Sequence, residues 1–489
     1  MQRYRKILTG TSLLSGSLVV SQGCSFVRNV ILARFLAKAD FGVAATLAMI
    51  ITLFEMTNKM ALGQQVIQSK HGDDDVFLDS VQFTQLVLGI LSALLIAAFA
   101  WPLSHLFHSP QEFGPIASLA LIPLFNGLGS LDIYRRARGL RFGFMALTEA
   151  APQIVTTLAA WPLAAYFRDY RAVLILLLGN ALLSSVVTHL VAQRNYSPKY
   201  VSQWMRESLK FGLPQLLSGF AQFGNFQGDS MVIATAYSMA QLGEYSVAMS
   251  MAMAPALAVL RVGGSISLPL LSEVREDLPR LGARYGLYCQ LLVLIGCTFS
   301  LSMLLCGEMV IRLIFGSKYA GIGLIACWLT IAQALRTLRG ATVSAAMAQG
   351  DTMINLISTL SRLSGLLIAI GVGLLKANLL WFAVTGFIGE CIALSVAISL
   401  LAIKHRLPPR LTIFPAALGG MVMLLVGAIK YFFGIGSYSY LNWLLLPLCI
   451  AFAVGIFSAC FPGFRERLVD LFNHLRRRLY RPSMIERQL

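Results

Sequence analysis

Charged residues are scarce in this chain of 489 residues: Asp, Glu, Lys and Arg make up 12% of it, whereas 57% is hydrophobic. Acidic residues are the scarcest, with 22 Asp and Glu against 39 Lys and Arg. A soluble domain has about a quarter of its residues charged, so this composition excludes one. Together with a mean hydropathy of +0.72, it indicates a polytopic membrane protein.

The chain also lacks the motifs of common enzyme and redox sites. It has no GK[ST] loop for nucleotide phosphates, no CxxC pair, and no recognisable Ser-His-Asp set or carboxylate pair. The eight cysteines lie in or beside apolar segments, where they pack as small hydrophobic residues, and the six histidines are scattered. We therefore expect a protein that is not an enzyme and carries neither a metal nor a cofactor.

Long apolar segments recur along the whole chain, and a helix needs about 20 apolar residues to cross a bilayer. No cleavable signal peptide is recognisable, so the first segment is expected to remain a membrane helix. The fold class predicted from this pattern is all-α, with about fourteen transmembrane helices. They cover residues 8–32, 41–62, 80–104, 113–133, 146–166, 171–192, 210–236, 241–263, 287–306, 320–346, 354–375, 378–402, 412–433 and 440–461.

Lys and Arg are concentrated in alternate loops, as the positive-inside rule requires. An even number of spans places both termini on the basic side, which is the cytoplasmic side. The same loops account for the net charge of +17 without nucleic acid. After the last span, a basic segment with leucines on one face (468–479) is either an interfacial helix or a solvated tail that enforces topology.

A polar stripe runs through the apolar segment 210–248. Its members recur at spacings of three, four and seven, so they share one helix face. A carboxylate at membrane depth costs about 2.5–3.5 kcal/mol even on the mildest scale and needs water or a partner. We favour a cavity wall over a satisfied seam between packed helices for this set: Gln215, Ser218, Gln222, Asn225 and Asp229.

The same stretch has a counterpart 201 positions earlier. This offset lays Gly243 over Gly42 and Asp229 over Arg28, among other similar residues. Self-similarity at half-chain spacing is typical of transporters that contain two structural repeats. The sequence therefore predicts that Arg28 and Asp229 occupy equivalent positions in two halves of the fold.

Ionisable residues at membrane depth are the strongest functional signal. Each could be an ion pair that fixes helix packing, and Glu55 could simply pair with Lys59. As a set, however, their cations outnumber their anions, which favours an anionic substrate, because the planar guanidinium binds two oxygens of a phosphate or carboxylate. The set is Arg28, Glu55, Asp229, Arg336, Arg339, Arg362 and Glu390.

Four stretches resemble the bacterial polysaccharide transporters, the Wzx-type flippases of the multidrug/oligosaccharidyl-lipid/polysaccharide exporter superfamily. RNVILARFLAKADFGVAA (28–45) resembles the signature that joins the first two helices of that family. The segment 208–248, with SLKFG and LGEYSVA, is similar to its counterpart around the seventh and eighth helices. ARGLRFGFMALTEAA (137–151) and FGSKYAGIGLIACWL (315–329) match stretches before the fifth and tenth helices.

The resemblance implies six-helix lobes at residues 1–206 and 207–405 around an aqueous cavity, two extra helices at 406–463 and a basic cytoplasmic tail at 464–489. It implies that an undecaprenyl-diphosphate-linked oligosaccharide is flipped outward for exopolysaccharide, capsule or O-antigen (lipopolysaccharide) synthesis. Proton- or sodium-coupled alternating access would drive the transport, and membrane lipids and a polysaccharide polymerase are expected partners. Substrate would meet Arg28, Arg336, Arg339, Arg362, Gln215, Gln222 and Asn225, and the coupling ion Asp229, Glu390 or Glu55.

Three alternatives remain at this point. A flippase for the lipid precursor of peptidoglycan fits the same span count. A cation-coupled multidrug antiporter is a different class, although a cavity for cationic drugs would favour buried carboxylates over arginines. A scaffold for a glycan-assembly complex would transport nothing.

Overall fold

The structure, a computed structural model, describes residues 2–58, 62–107, 110–139, 142–194, 196–434, 436, 439–462 and 465–466. Within this part of the chain the regular structure is entirely helical, and the all-α prediction is confirmed. The α-helices are α1 Gln2–Phe35, α2 Lys38–Asn58, α3 Leu62–Gln68, α4 Asp75–Leu106, α5 Phe113–Ser118, α6 Leu121–Leu128, α7 Asp132–Arg138, α8 Gly143–Phe167, α9 Arg171–Val191, α10 Ser202–Ala236, α11 Met239–Ser272, α12 Leu278–Phe315, α13 Gly323–Ala348, α14 Met353–Ser361, α15 Leu363–Leu374, α16 Leu380–His405, α17 Arg410–Phe432 and α18 Leu441–Cys460.

Eight helices among the described residues are long and apolar enough to cross a membrane: α4, α9, α11, α12, α14–α15 as one span, α16, α17 and α18. A ninth is added if the bent segment from α5 to α7 is one span. Every one of the predicted segments overlaps a helix or a broken helix. The multi-pass membrane character is therefore confirmed, while the count of about fourteen spans stays a prediction.

The fourth predicted span is the one that departs most from a single helix. It divides into α5, α6 and α7, and the two parts of this segment meet at an angle of 45°. The break falls at Gly129–Leu131, where the Gly129 backbone is extended and the α6 helix ends. Gln85 of α4 donates from its side-chain amide to the carbonyls of Asn126 (2.7 Å) and Gly129 (3.0 Å), so the backbone groups released at the break find a partner.

We call α1 to α9 the first half of the chain and α10 to α16 the second half. The predicted division at 206/207 falls inside α10, which begins at Ser202, whereas the predicted end at 405 coincides with the last residue of α16. The partition into two lobes stays a prediction. Beyond it, α17 and α18 pack on α12 through a cluster that includes Leu301, Val422 and Ala453. The predicted interfacial segment 468–479 lies outside the described residues.

The two halves cross most closely where α2 packs against α11. A side chain at Gly42 would collide with the carbonyl of Met239, and one at Gly243 would collide with the carbonyl of Lys38. Each glycine thus meets the residue four positions before its counterpart. The 201-residue offset correctly pairs the two glycines, and only residues without a Cβ allow the two backbones to approach this closely.

Candidate functional site

Three arginines from two different spans converge on one carboxylate in the second half of the chain. The Nε atoms of Arg336 and Arg362 donate to Glu390 Oε1 at 2.8 Å and 3.0 Å. The Nε of Arg339 donates to the other oxygen, Oε2, at 3.1 Å. The side chain of Glu390 is 1% exposed, and those of Arg336, Arg362 and Arg339 are 7%, 5% and 12% exposed. We call these four residues the Glu390 cluster.

Local backbone geometry places the members of the Glu390 cluster together. Arg336 and Arg339 are three residues apart on α13 and therefore point from one face. Arg362 lies at the junction of α14 and α15, one turn before Gly365. A Cβ on Gly365 would lie 2.9 Å from the Cα of Gly389, so α15 and α16 cross in close contact one residue from Glu390.

Helix α10 closes the other side of the cluster. Asn225 accepts from Arg362 Nη1 through its side-chain oxygen and from Arg336 Nη2 through its carbonyl, each at 3.4 Å. It also donates to the carbonyl of Thr359 at 2.9 Å. The guanidinium of Arg336 lies over the ring of Phe226, 4.4 Å from the centroid, which is a cation–π contact. The polar stripe of α10 therefore meets the arginines through Asn225.

Asp229 is buried one turn further along α10, with a different kind of partner. The hydroxyl of Tyr245 on α11 donates to its Oδ2 at 3.4 Å. The charges of Arg362 and Arg336 act on Asp229, but no described cation lies within 4 Å of its oxygens. Three guanidinium groups thus share the region with two carboxylates, which leaves an excess of one positive charge when all are ionised.

Arg28 occupies a half-buried position in the first half of the chain and contacts no acidic side chain among the described residues. Its Nη1 donates to Gln153 Oε1 and to Thr156 Oγ1, both at 2.9 Å. Both partners belong to α8, which runs parallel to α1 and packs along it. Among the described side chains, no carboxylate lies within 4 Å of this guanidinium. Two neutral acceptors leave its positive charge uncompensated and its remaining N–H groups available to a ligand.

The remaining predicted site residues are Gln215, Gln222 and Glu55. Gln215 belongs to α10, but its side chain is outside the described residues, and so is that of Lys59, the proposed partner of Glu55. Gln222 is exposed. Glu55 is half-buried on α2 and makes an interaction of its own. The roles predicted for all these residues in binding or coupling stay predictions.

Sequence reasoning missed two kinds of partner. Tyr245 could have been found, because α10 and α11 are joined by a two-residue turn, and Asp229 and Tyr245 lie about equally far from it. The contact between Arg28 and Gln153 carries no such signal, since nothing in the sequence states that α1 packs along α8. No group of three or more His, Cys, Asp or Glu in the described part of the chain could hold a metal ion.

The fold as a whole is similar to that of solved membrane transporters. The fold is similar to that of the lipid II flippase MurJ in an inward closed conformation, with a TM-score of 0.70, 14% sequence identity, and coverage of 93% of this chain and 99% of that one. It is also similar to an inward-facing multidrug resistance MATE family transporter, with a TM-score of 0.60, 14% identity, and coverage of 83% and 95%. At these identities the likeness establishes the fold alone.

Curated relatives are transport and biosynthesis proteins. The amylovoran biosynthesis protein AmsL of Erwinia amylovora is 26% identical over 280 residues, which are 56% of this chain and 71% of that protein. The succinoglycan biosynthesis transport protein ExoT of Rhizobium meliloti is 24% identical over 301 residues, 61% of this chain and 60% of that protein. The solved neighbours are likewise a flippase and a transporter.

Residues 31–323 match the family model described as polysaccharide biosynthesis protein, and this segment is more than half of the chain. It begins three residues after Arg28 and ends at the first residue of α13. The chain therefore belongs to the polysaccharide biosynthesis protein family, and its resemblance to the Wzx-type polysaccharide transporters is confirmed.

Proposed function

We propose that this protein is a flippase that moves an undecaprenyl-diphosphate-linked oligosaccharide from the cytoplasmic to the outer leaflet of the bacterial inner membrane. The observation that carries the proposal is the guanidinium of Arg28 at membrane depth, whose hydrogen-bond partners in the described part of the chain are the neutral side chains of Gln153 and Thr156, each at 2.9 Å. A cation without an acidic partner is expensive in an apolar interior, so its retention calls for an anion that arrives with the substrate.

A diphosphate suits this interior better than a cationic drug does. A guanidinium binds two phosphate oxygens in a fork and remains charged at any physiological pH. The Glu390 cluster adds three more guanidinium groups, and the region keeps a positive excess even with Asp229 ionised. A multidrug antiporter for organic cations would face repulsion at both places.

The membrane orientation follows from the distribution of Lys and Arg. Basic loops lie on the side of both termini, which we assign to the cytoplasm. The α1–α2 turn, with Lys38, then faces the outer side, and the closely packed crossing of α2 and α11 closes the path there. In this arrangement the described state is closed on the outer side, and the substrate would enter from the cytoplasm, where it is made.

Asp229 is the carboxylate that we assign to ion coupling, in preference to Glu390. Three guanidinium groups bind Glu390 within 3.1 Å, so protonating it would break three charge-assisted hydrogen bonds. Asp229 has one neutral donor, the Tyr245 hydroxyl, and can take up a proton or Na⁺ without breaking an ion pair. The negative charge of Asp229 then compensates the arginines only while neither a proton nor Na⁺ is bound to it.

The test is complementation of a deletion strain with Arg28→Ala and Arg28→Lys at matched protein levels, with polymer export and retained lipid-linked oligosaccharide as readouts. We expect Arg28→Ala to abolish export and to trap the precursor, and Arg28→Lys to restore part of it, because a point charge replaces the fork. Arg275→Ala, an exposed loop arginine, is the matched control and should export normally. Normal export by Arg28→Ala would refute the proposal.

The same strain separates the alternatives. A flippase for the peptidoglycan precursor would carry the same diphosphate chemistry, but its loss would halt growth rather than polymer export. Altered drug susceptibility with normal export would favour the multidrug antiporter. Export by all charge variants would favour a scaffold.

A further inference from the structure

At the end of the bundle that carries the α1–α2 turn, charged side chains tie the two halves of the chain together. Lys38 at the start of α2 and Glu244 in α11 form an ion pair of 2.6 Å. Arg34 in the last turn of α1 donates to the carbonyls of Ile314, at 2.7 Å, and Leu313 at the end of α12. We call this end the Lys38 end.

The ties at the Lys38 end are reciprocal. Lys318, just after α12, donates to the carbonyls of Arg34, at 3.1 Å, and Leu36 at the end of α1. The C-terminus of α12 therefore meets a cation from α1, and the C-terminus of α1 meets a cation from the turn after α12, which satisfies terminal carbonyls and complements the helix dipoles. Burial, followed by the charge of Lys38, lowers the pKa of Lys318, as expected for a cation drawn into a closed contact.

Near the opposite end, a second pair of opposite charges faces across the two halves but does not touch. Glu149 lies six residues into α8, and one of its oxygens, Oε2, is buried with no hydrogen-bond partner in the described part of the chain. Arg261 of α11 is exposed, and its charge acts on Glu149. The two side chains form no ion pair in the described state.

The two pairs are well separated along α11. Arg261 follows the start of α11, at Met239, by 22 residues, which is roughly 33 Å at 1.5 Å per residue. Glu244 lies in the second turn of the same helix. Helix α11 therefore carries Glu244 near the Lys38 end and Arg261 near the opposite end. The first-half residues at these two ends, Lys38 and Glu149, carry the complementary charges.

We infer that Glu149 and Arg261 form the closing ion pair of the opposite state, made when the Lys38–Glu244 pair breaks. The buried, unpartnered oxygen of Glu149 is costly in the described state, and pairing with Arg261 would remove that cost. The inference rests on the proposed transport function, because it needs a state open at the Lys38 end. It assigns to Arg261 a role in closure rather than in substrate binding.

Thiol cross-linking in membrane vesicles tests the exchange without knowledge of the substrate. The reporter is Glu149→Cys with Arg261→Cys, and a second reporter is Lys38→Cys with Glu244→Cys, each in a background whose eight native cysteines are replaced. The first reporter removes the charges of Glu149 and Arg261, so the charges at the Lys38 end are the ones that are varied. Adding Glu244→Gln to the first reporter should raise the cross-linking between positions 149 and 261 about fivefold, the shift expected from losing one partly exposed ion pair. An unchanged yield would overturn the inference.

A charge exchange gives an independent measurement. Glu149→Arg and Arg261→Glu should each impair export, and the double variant should restore it, because the pair is rebuilt with inverted signs. If Arg261 instead binds the anionic headgroup, the double variant stays inactive and the inference falls. Failure of the Arg28 test with a normal cross-linking response would reject the proposed substrate and leave the exchange of ion pairs standing.

Discussion

Replacing Glu390 with glutamine removes the one carboxylate that three arginines share. Its side chain is 1% exposed, and the arginine side chains are 5–12% exposed, so water cannot take its place in the described state. Removing one partner of a buried ion pair costs about 3–5 kcal/mol, because a charge is left uncompensated. We expect a loss of about 3 kcal/mol, since Asp229 remains close enough to act on Arg362 and Arg336.

Thermal unfolding of the purified protein in detergent measures this loss. Glu276→Gln is the matched control, because that side chain is 90% exposed and should unfold at the wild-type temperature. A double variant, Glu390→Gln with Arg336→Met, should recover part of the loss, because it removes one of the stranded charges. Wild-type stability of Glu390→Gln would refute the reasoning and would mean that water hydrates the arginines.

Two further outcomes follow from the described contacts. Asp229→Asn should keep the Tyr245 contact and the fold but uncouple transport, so export in vesicles should lose its dependence on the ion gradient; retained dependence would exclude Asp229 as the coupling group. A hydrogen bond from Lys404 to Asp351, in the loop after α13, holds the pKa of that carboxyl below its ordinary value. The stabilising contribution of Asp351 is therefore present above the ordinary pKa of about 4 and disappears as the pH falls through the lowered folded-state value. We expect Lys404→Met to flatten the acid limb of a plot of melting temperature against pH. An unchanged acid limb would contradict this prediction.

Much of the fold could be predicted because lipid imposes a simple rule on sequence. Every spanning segment must be long and apolar, so the spanning helices stand out as hydrophobic runs in the sequence. The break between α6 and α7 was missed, since Gln85 satisfies the freed carbonyls from a different helix. A contact of that kind leaves no local signal.

The candidate site shows the same limit. The arginines and acids were recognisable one by one, because each is conspicuous in an apolar run. That Glu390 gathers Arg362, Arg336 and Arg339, at sequence separations of 28, 54 and 51, depends on the crossing of α15, α16 and α13. A single sequence does not specify how these helices cross, so ion pairing between the arginines and the acids could be stated only as an alternative.

The crossing at Gly42 and Gly243 has a consequence for how such a chain arises. Because each glycine meets the residue four positions before the other glycine, a half-turn about an axis between them exchanges the two contacts. Identical subunits meet in this way in a twofold homodimer. A single ancestral hairpin with one glycine could therefore have docked onto its own copy before duplication fused them, and cutting the present chain between α9 and α10 should yield fragments that reassemble when co-expressed.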